Sequence, residues 1–123
     1  MFCTAINCMD GRVQLSVINY MQIRFDAVYV DMITEPAPNK ILAEGIDAVV
    51  VDEIRRRLDV SLEKHSSCGV AIVGHEDCTA NPLPKEDQVR QLEAAREFLR
   101  EMYPGVEVIG LWVELCGNVE EIA

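Results

Sequence analysis

Three residues near the start of the chain, Cys8, Asp10 and Arg12 in "INCMDGRVQ", alternate a thiol, an acid and a base. A second group, His75 and Cys78 in "GHEDC", offers an imidazole and a thiol three residues apart. Two cysteines and one histidine form a three-ligand zinc set that leaves a fourth position open, the pattern of catalytic more than of structural sites. Zinc held in this way lowers the pKa of bound water toward neutrality and so makes hydroxide available as a nucleophile. An aspartate two residues from a ligand cysteine is placed either to close the fourth position or to accept a hydrogen bond from hydroxide there. An arginine gripping that carboxylate with two N–H groups would restrain and orient it. Plainer roles compete: burial for Cys8 and Cys78, an N-cap for Asp10 and an exposed surface position for Arg12.

These residues converge only if the fold places them together. "FCTAIN" reads as a short buried strand ending at Cys8, and Gly11 marks the turn after it. Val13, Val17, Tyr20 and Met21 have helical spacing. "FDAVYVDMI" alternates like a second strand, and "TEPAPN" reads as a loop because of Pro36 and Pro38. A helical pattern follows from Ile41 to Ser67, with Ile46, Val50, Ile54, Leu58 and Leu62 inward, although "AVVV" alone also fits a strand. "VAIVGH" is a third, fully buried strand. "KEDQVRQLEAAREFLREMY" is the clearest helix, with Val89, Leu92, Ala95, Leu99 and Met102 on its stripe. Pro104 and Gly105 stop it, "VEVIGLWVEL" is a fourth strand, and the tail after it carries no clear pattern.

Strands alternating with helices predict an α/β fold, a three-layer Rossmann-like arrangement with a mainly parallel sheet of about four strands and helices on both faces. The 123 residues fit one domain over 1–123. In such a sheet the strands end at one edge, where ligands bind. Neighbouring strands lie about 4.8 Å apart, so Cys8 at the end of the first and His75 at the end of the third would meet there.

"CMDGR" followed by "GHEDC" resembles the β-class carbonic anhydrases, whose pattern is C-x-D-x-R and then H-x-x-C after a buried strand; the resemblance runs from about Ile6 to Trp112. It implies Zn2+ bound by Cys8, His75 and Cys78, with Asp10 and Arg12 as the catalytic dyad. The implied activity is reversible hydration of carbon dioxide to bicarbonate by zinc-bound hydroxide. It also implies a homodimer or higher homo-oligomer with the active site near the interface. Relatives on the same scaffold hydrolyse carbonyl sulfide or carbon disulfide. The chain departs from the family at Thr34 to Asn39, where an Arg-Asn-Ala-Gly-type stretch is common, and at Thr79 and Ala80, where small residues such as glycine are common. It also lacks the N-terminal helical arm that helps build the dimer in relatives. The alternatives are a non-catalytic zinc-binding relative and, beyond the family, a redox protein using Cys8 and Cys78 as thiols. An open apolar pocket beside the Thr34–Asn39 loop would favour an enzyme, and a filled one would not.

Composition narrows the partners. A formal net charge of −10 repels phosphate backbones and acidic lipid surfaces, so neither nucleic acid nor membrane is expected. No apolar run is long enough to span a bilayer and no signal-like segment opens the sequence, which predicts a cytoplasmic protein. Five cysteines, an odd number, argue against a disulfide framework. Cys3, Cys68 and Cys116 are expected in the core or near the surface, His65 at a helix end in water, and Glu76 and Asp77 as solvent-facing or capping groups. Arg55 to Arg57 read as a solvated helix face. Only three residues separate Cys8 from Arg12, too few for a phosphatase loop; no Walker loop, G-x-G-x-x-G or C-x-x-C occurs.

Overall fold

A computed structural model of the chain covers residues 1–123. Strand β1 (Phe2–Cys8) leads through a single 3-10 turn (Gly11–Val13) into helix α1 (Gln14–Arg24). Strand β2 (Tyr29–Glu35), helices α2 (Pro38–Glu44) and α3 (Ala48–Lys64), and strand β3 (Val70–His75) follow. Helix α4 (Lys85–Met102) and strands β4 (Val108–Val113) and β5 (Val119–Glu121) complete the chain. The sheet order is β2-β1-β3-β4-β5. The first four strands are parallel, and β5 adds antiparallel to β4.

The fold is the expected α/β three-layer arrangement, with its helices shared unequally between the faces. Val13, Val17 and Met21, on α1 and the turn before it, pack with Cys3 and Ala5 of β1 and with Ala71 and Val73 of β3. Helices α2, α3 and α4 cover the opposite face, where Leu42, Ile54, Leu58, Leu92 and Leu99 meet Ile6, Ile33, Ile72 and Trp112. Strands β1 and β3 run nearly without exposure, as a parallel sheet with helices on both faces demands.

Four sequence expectations change. Pro38 does not extend the loop but opens α2, occupying the first helical turn, where its missing N–H costs no hydrogen bond. The helical pattern from Ile41 to Ser67 is two helices, because Gly45 takes a left-handed φ of +64° and caps α2, as C-terminal glycines do. Ile46 therefore lies in the connection and is 80% exposed, while Val51, Ile54, Leu58 and Ser61 form the buried stripe of α3. The tail, expected to be uninformative, forms β5; Ile122 fills the space left by Gly110, where an added Cβ would lie 2.8 Å from the Ile122 side chain. On α4 the stripe is Gln88, Leu92, Ala95 and Leu99, with Met102 exposed.

The strand order fixes where ligands sit. From β1 the chain moves out to β2 on one side and returns to β3 on the other. The order thus reverses between β1 and β3, opening a crevice at their carboxyl ends. Ile6 pairs with Ile72, so Cys8 lies level with Gly74, one residue short of His75.

Candidate metal centre

Cys8 and His75 end β1 and β3 side by side, and a short turn returns Cys78 toward them. The Glu76 N–H still donates to the Val113 carbonyl at 2.9 Å, prolonging the ladder by one bond. Asp77 then adopts a left-handed φ of +56°, which reverses the chain. As a result one ligand atom each from Cys8, His75 and Cys78 lies within 4.8 Å of the others, and all three residues are buried. His75 Nδ1 is 2.7 Å from the Glu76 carbonyl oxygen, which fixes the proton on Nδ1. Its Nε2 is buried without a hydrogen-bond partner. A neutral imidazole with Nδ1–H on a carbonyl and a bare Nε2 is the form in which histidine binds a metal. Two sulfurs and this nitrogen suit zinc, which takes cysteine and histidine ligands in tetrahedral sites.

The three donors shift one another's protonation. Burial raises the Cys8 thiol, but the His75 ring and the backbone N–H groups of Ala37 and Asp10 outweigh it and bring the thiol down to about 7. Cys78 is raised by burial and by the Cys8 charge beside it. His75 is raised despite burial, because the Cys8 sulfur and the Glu76 carbonyl favour its charged form. Two adjacent buried thiols oppose each other's ionisation, and a cation between them removes the conflict. All five cysteines are free: Cys3 is buried, and Cys68 and Cys116 are exposed.

Asp10 and Arg12 form a rigid pair at the rim. The Asp10 carboxylate accepts from the Arg12 backbone N–H at 2.9 Å, from Nε at 3.1 Å and from Nη2 at 2.7 Å. Asp10 thus serves as the N-cap of the 3-10 turn and as the partner of Arg12. The Arg12 side chain, the largest influence, pulls the Asp10 carboxyl down to about 2. Arg12 also holds the ligand turn, through Asp77 Oδ2 at 3.2 Å and the Asp77 carbonyl at 3.1 Å. Asp77 faces solvent, as expected, and is also the second acid on Arg12. Glu76 caps the β4–β5 connection by accepting from the Leu115 N–H at 2.9 Å.

An open cleft of about 340 Å³ lies over Cys8 and Cys78, walled by Met9, Asp10, Pro36, Thr79 and Ala80. The Thr34–Asn39 segment leaves this space open because β2 runs straight to Glu35 and Ala37 then turns at a left-handed φ of +52°. That turn aims the Ala37 N–H at the Cys8 sulfur.

Sequence reasoning missed a set of buried amides behind the Cys–His–Cys cluster: Asn39, Asn81 and Gln88, each 1% exposed. The available signal was a polar residue, Gln88, at helical spacing with Leu92, Ala95 and Leu99. His65, by contrast, sits at the C-cap of α3 on the other side of the molecule. Its Nδ1 lies 2.6 Å from Asp31 Oδ2 and its ring stacks on Phe2.

A parallel α/β sheet with a Cys–His–Cys cluster at its reversal point, beside an Asp–Arg pair, defines a protein of the β-carbonic anhydrase type. The chain matches the family described as "Putative carbonic anhydrase" over residues 1–123 and belongs to it. No curated protein matches the chain. Among solved structures, a tetrameric β-carbonic anhydrase from Sordaria macrospora is similar with a TM-score of 0.66 at 16% identity, covering 98% of this chain and 80% of its own. A carbonic anhydrase from Streptococcus mutans gives a TM-score of 0.59 at 16% identity, with 98% and 81% covered. The β-carbonic anhydrase of Aspergillus fumigatus gives 0.53 at 14% identity, with 98% and 74% covered. At such identities the likeness establishes the shared fold.

Proposed function

We propose that this chain is a zinc enzyme of the β-carbonic anhydrase type that hydrates carbon dioxide to bicarbonate, with Cys8, His75 and Cys78 as the metal ligands. The observation that carries this reading is the convergence of those three donors within 4.8 Å, with His75 Nε2 left unpartnered, beneath an open cleft that Cys8 and Cys78 line. Zinc bound there would act as a Lewis acid that draws the pKa of water toward neutrality. Asp10 stands at the cleft wall, where it would accept a hydrogen bond from hydroxide at the open position, its carboxylate kept ionised and turned by Arg12. Arg12 in turn ties that acceptor to the turn carrying His75 and Cys78, so base and ligands keep their spacing as a unit. Met9, Pro36 and Ala80 give the cleft an apolar lining suited to a small uncharged substrate. The openness of the cleft beside Thr34–Asn39 favours an enzyme over a zinc-binding relative without activity.

The test is metal analysis and a carbon dioxide hydration assay on one preparation. About one zinc per chain with hydration activity that chelation abolishes supports the proposal; one zinc with no hydration leaves a binding protein and overturns the enzymatic reading.

The same reading extends to assembly. Met9 at the cleft mouth is 62% exposed, and Ile46, beside the Pro36 and Ala80 wall, is 80% exposed. Such apolar exposure around a cleft marks an interaction surface, and a second copy of the chain is the proposed partner. Sedimentation equilibrium should give a mass of two chains or a multiple. A single-chain mass across a wide concentration range would count decisively against this assembly.

A further inference from the structure

We infer that Gln88, a residue outside the proposed ligand set, is the positioning residue that holds the metal ligands in place before any metal arrives. The inference rests on the metal-site reading above and adds to it the element that sets the site's geometry. Gln88 lies in the first turn of α4, 1% exposed, on the face that packs against the sheet. Its Nε2 donates to the carbonyl of His75 at 2.9 Å and to those of Asn81 and Leu83 at 3.3 Å each. Its Oε1 accepts from Asn39 Nδ2 at 3.3 Å. One side-chain amide therefore grips both ends of the turn that carries His75 and Cys78. Through Asn39 it also reaches α2, which follows the Ala37 turn whose N–H faces the Cys8 sulfur.

Two of these contacts bear directly on a ligand. The His75 carbonyl belongs to a ligand's own backbone. Asn81 is the residue whose N–H faces the Cys78 sulfur, and it also donates to the Cys78 carbonyl at 3.1 Å. Gly74 leaves the amides room: a Cβ there would stand 2.8 Å from Asn39 Nδ2 and 3.1 Å from Gln88 Oε1. A second amide pair, Asn81 Nδ2 to Gln91 Oε1 at 2.7 Å, ties the same turn to the next helical turn of α4. A stripe position on an amphipathic helix ordinarily takes an apolar residue. A glutamine there whose amide N–H and carbonyl are both engaged trades apolar packing for fixed geometry.

The test is Gln88→Met, which keeps the length and bulk of the side chain and removes both halves of the amide. Cobalt(II) is the probe, because its thiolate charge-transfer and d–d bands report ligand identity and geometry apart from activity. The wild-type chain should bind cobalt with thiolate bands. Gln88→Met should bind it about 10- to 100-fold more weakly, as loss of a group that orients metal ligands does, with a shifted d–d envelope. Metal-free Gln88→Met should also show faster amide hydrogen exchange over residues 76–81 while exchange in the β1 and β4 amides stays unchanged. Unchanged affinity, band shape and exchange would overturn the positioning role and leave the metal site intact. Absence of thiolate bands in the wild-type chain would overturn the metal-site reading and with it this inference. Should Gln88→Met fail to fold, Asn39→Ala removes one arm of the same amide and is expected to weaken cobalt binding several-fold; unaltered binding in that variant overturns the role.

Discussion

His75→Ala, purified beside the wild type in the same zinc-containing buffer, is expected to lose most of its metal, and Cys78→Ser to do the same. Either change leaves two protein donors of three. Zinc bound by four cysteine and histidine ligands is worth roughly 10–16 kcal/mol. One donor therefore carries on the order of 3–4 kcal/mol, a factor of about 100 to 1,000 in affinity. The two variants should fail for different reasons. Removing the His75 imidazole takes away the neutral donor and the group that most lowers the Cys8 thiol, so the remaining thiols resist ionisation. Cys78→Ser keeps the imidazole but replaces a soft thiolate with a hydroxyl, a poor zinc ligand at neutral pH. Mass-spectrometric metal content reads both directly. A second readout is thermal: zinc binding to the folded state alone should raise the wild-type melting temperature over that in chelator, and both variants should lose the difference. Full zinc retention in both variants would remove the ligand assignment and the proposed function with it.

The parts of this site that are legible in the sequence are those written locally. Cys8 and His75 each follow a buried run that a reader recognises as a strand, and parallel strands deliver their last residues to one edge. The spacings C-x-D-x-R and H-x-x-C then need no long-range information, since Asp10 and Arg12 meet within one turn and Cys78 returns within another. What stays hidden depends on contacts far apart in sequence. Gln88 binds Asn39 across 49 residues, and Arg12 binds Asp77 across 65. The pattern of α4 points to Val89 as a stripe residue because glutamine scores as polar, although Gln88 is the buried residue. Pro38 reads as a breaker because proline ends helices more visibly than it starts them. Ile46 reads as a core residue because its spacing fits α3, while Gly45 has already ended the preceding helix. The tail strand is only three residues long, below the length at which alternation shows.

Under the proposed function, Arg12→Ala is expected to keep zinc and to lose hydration activity. Arg12 makes three side-chain contacts to the Asp10 carboxylate, and removing them frees an acid two residues from a ligand cysteine. The arginine also holds the Asp10 carboxyl near 2; without it the carboxyl rises toward its ordinary value and still remains ionised at neutral pH. A free carboxylate beside a divalent cation with an open position becomes its fourth ligand, which protects the metal and takes the place that water needs. Loss of one positioned hydrogen-bonding group at a reacting centre costs on the order of 100-fold or more in rate, and blocking the open position adds to that. The double variant Arg12→Ala with Asp10→Asn should readmit water, because a neutral amide is a weaker ligand, yet activity should stay low without the charged hydrogen-bond acceptor. X-ray absorption separates the two variants by an added short zinc–oxygen contribution in the single variant that is absent from the double. An Arg12→Ala chain with the wild-type metal shell and wild-type rate would show that Arg12 only braces the Asp77 turn, and that Asp10 needs no restraint to stay off the metal.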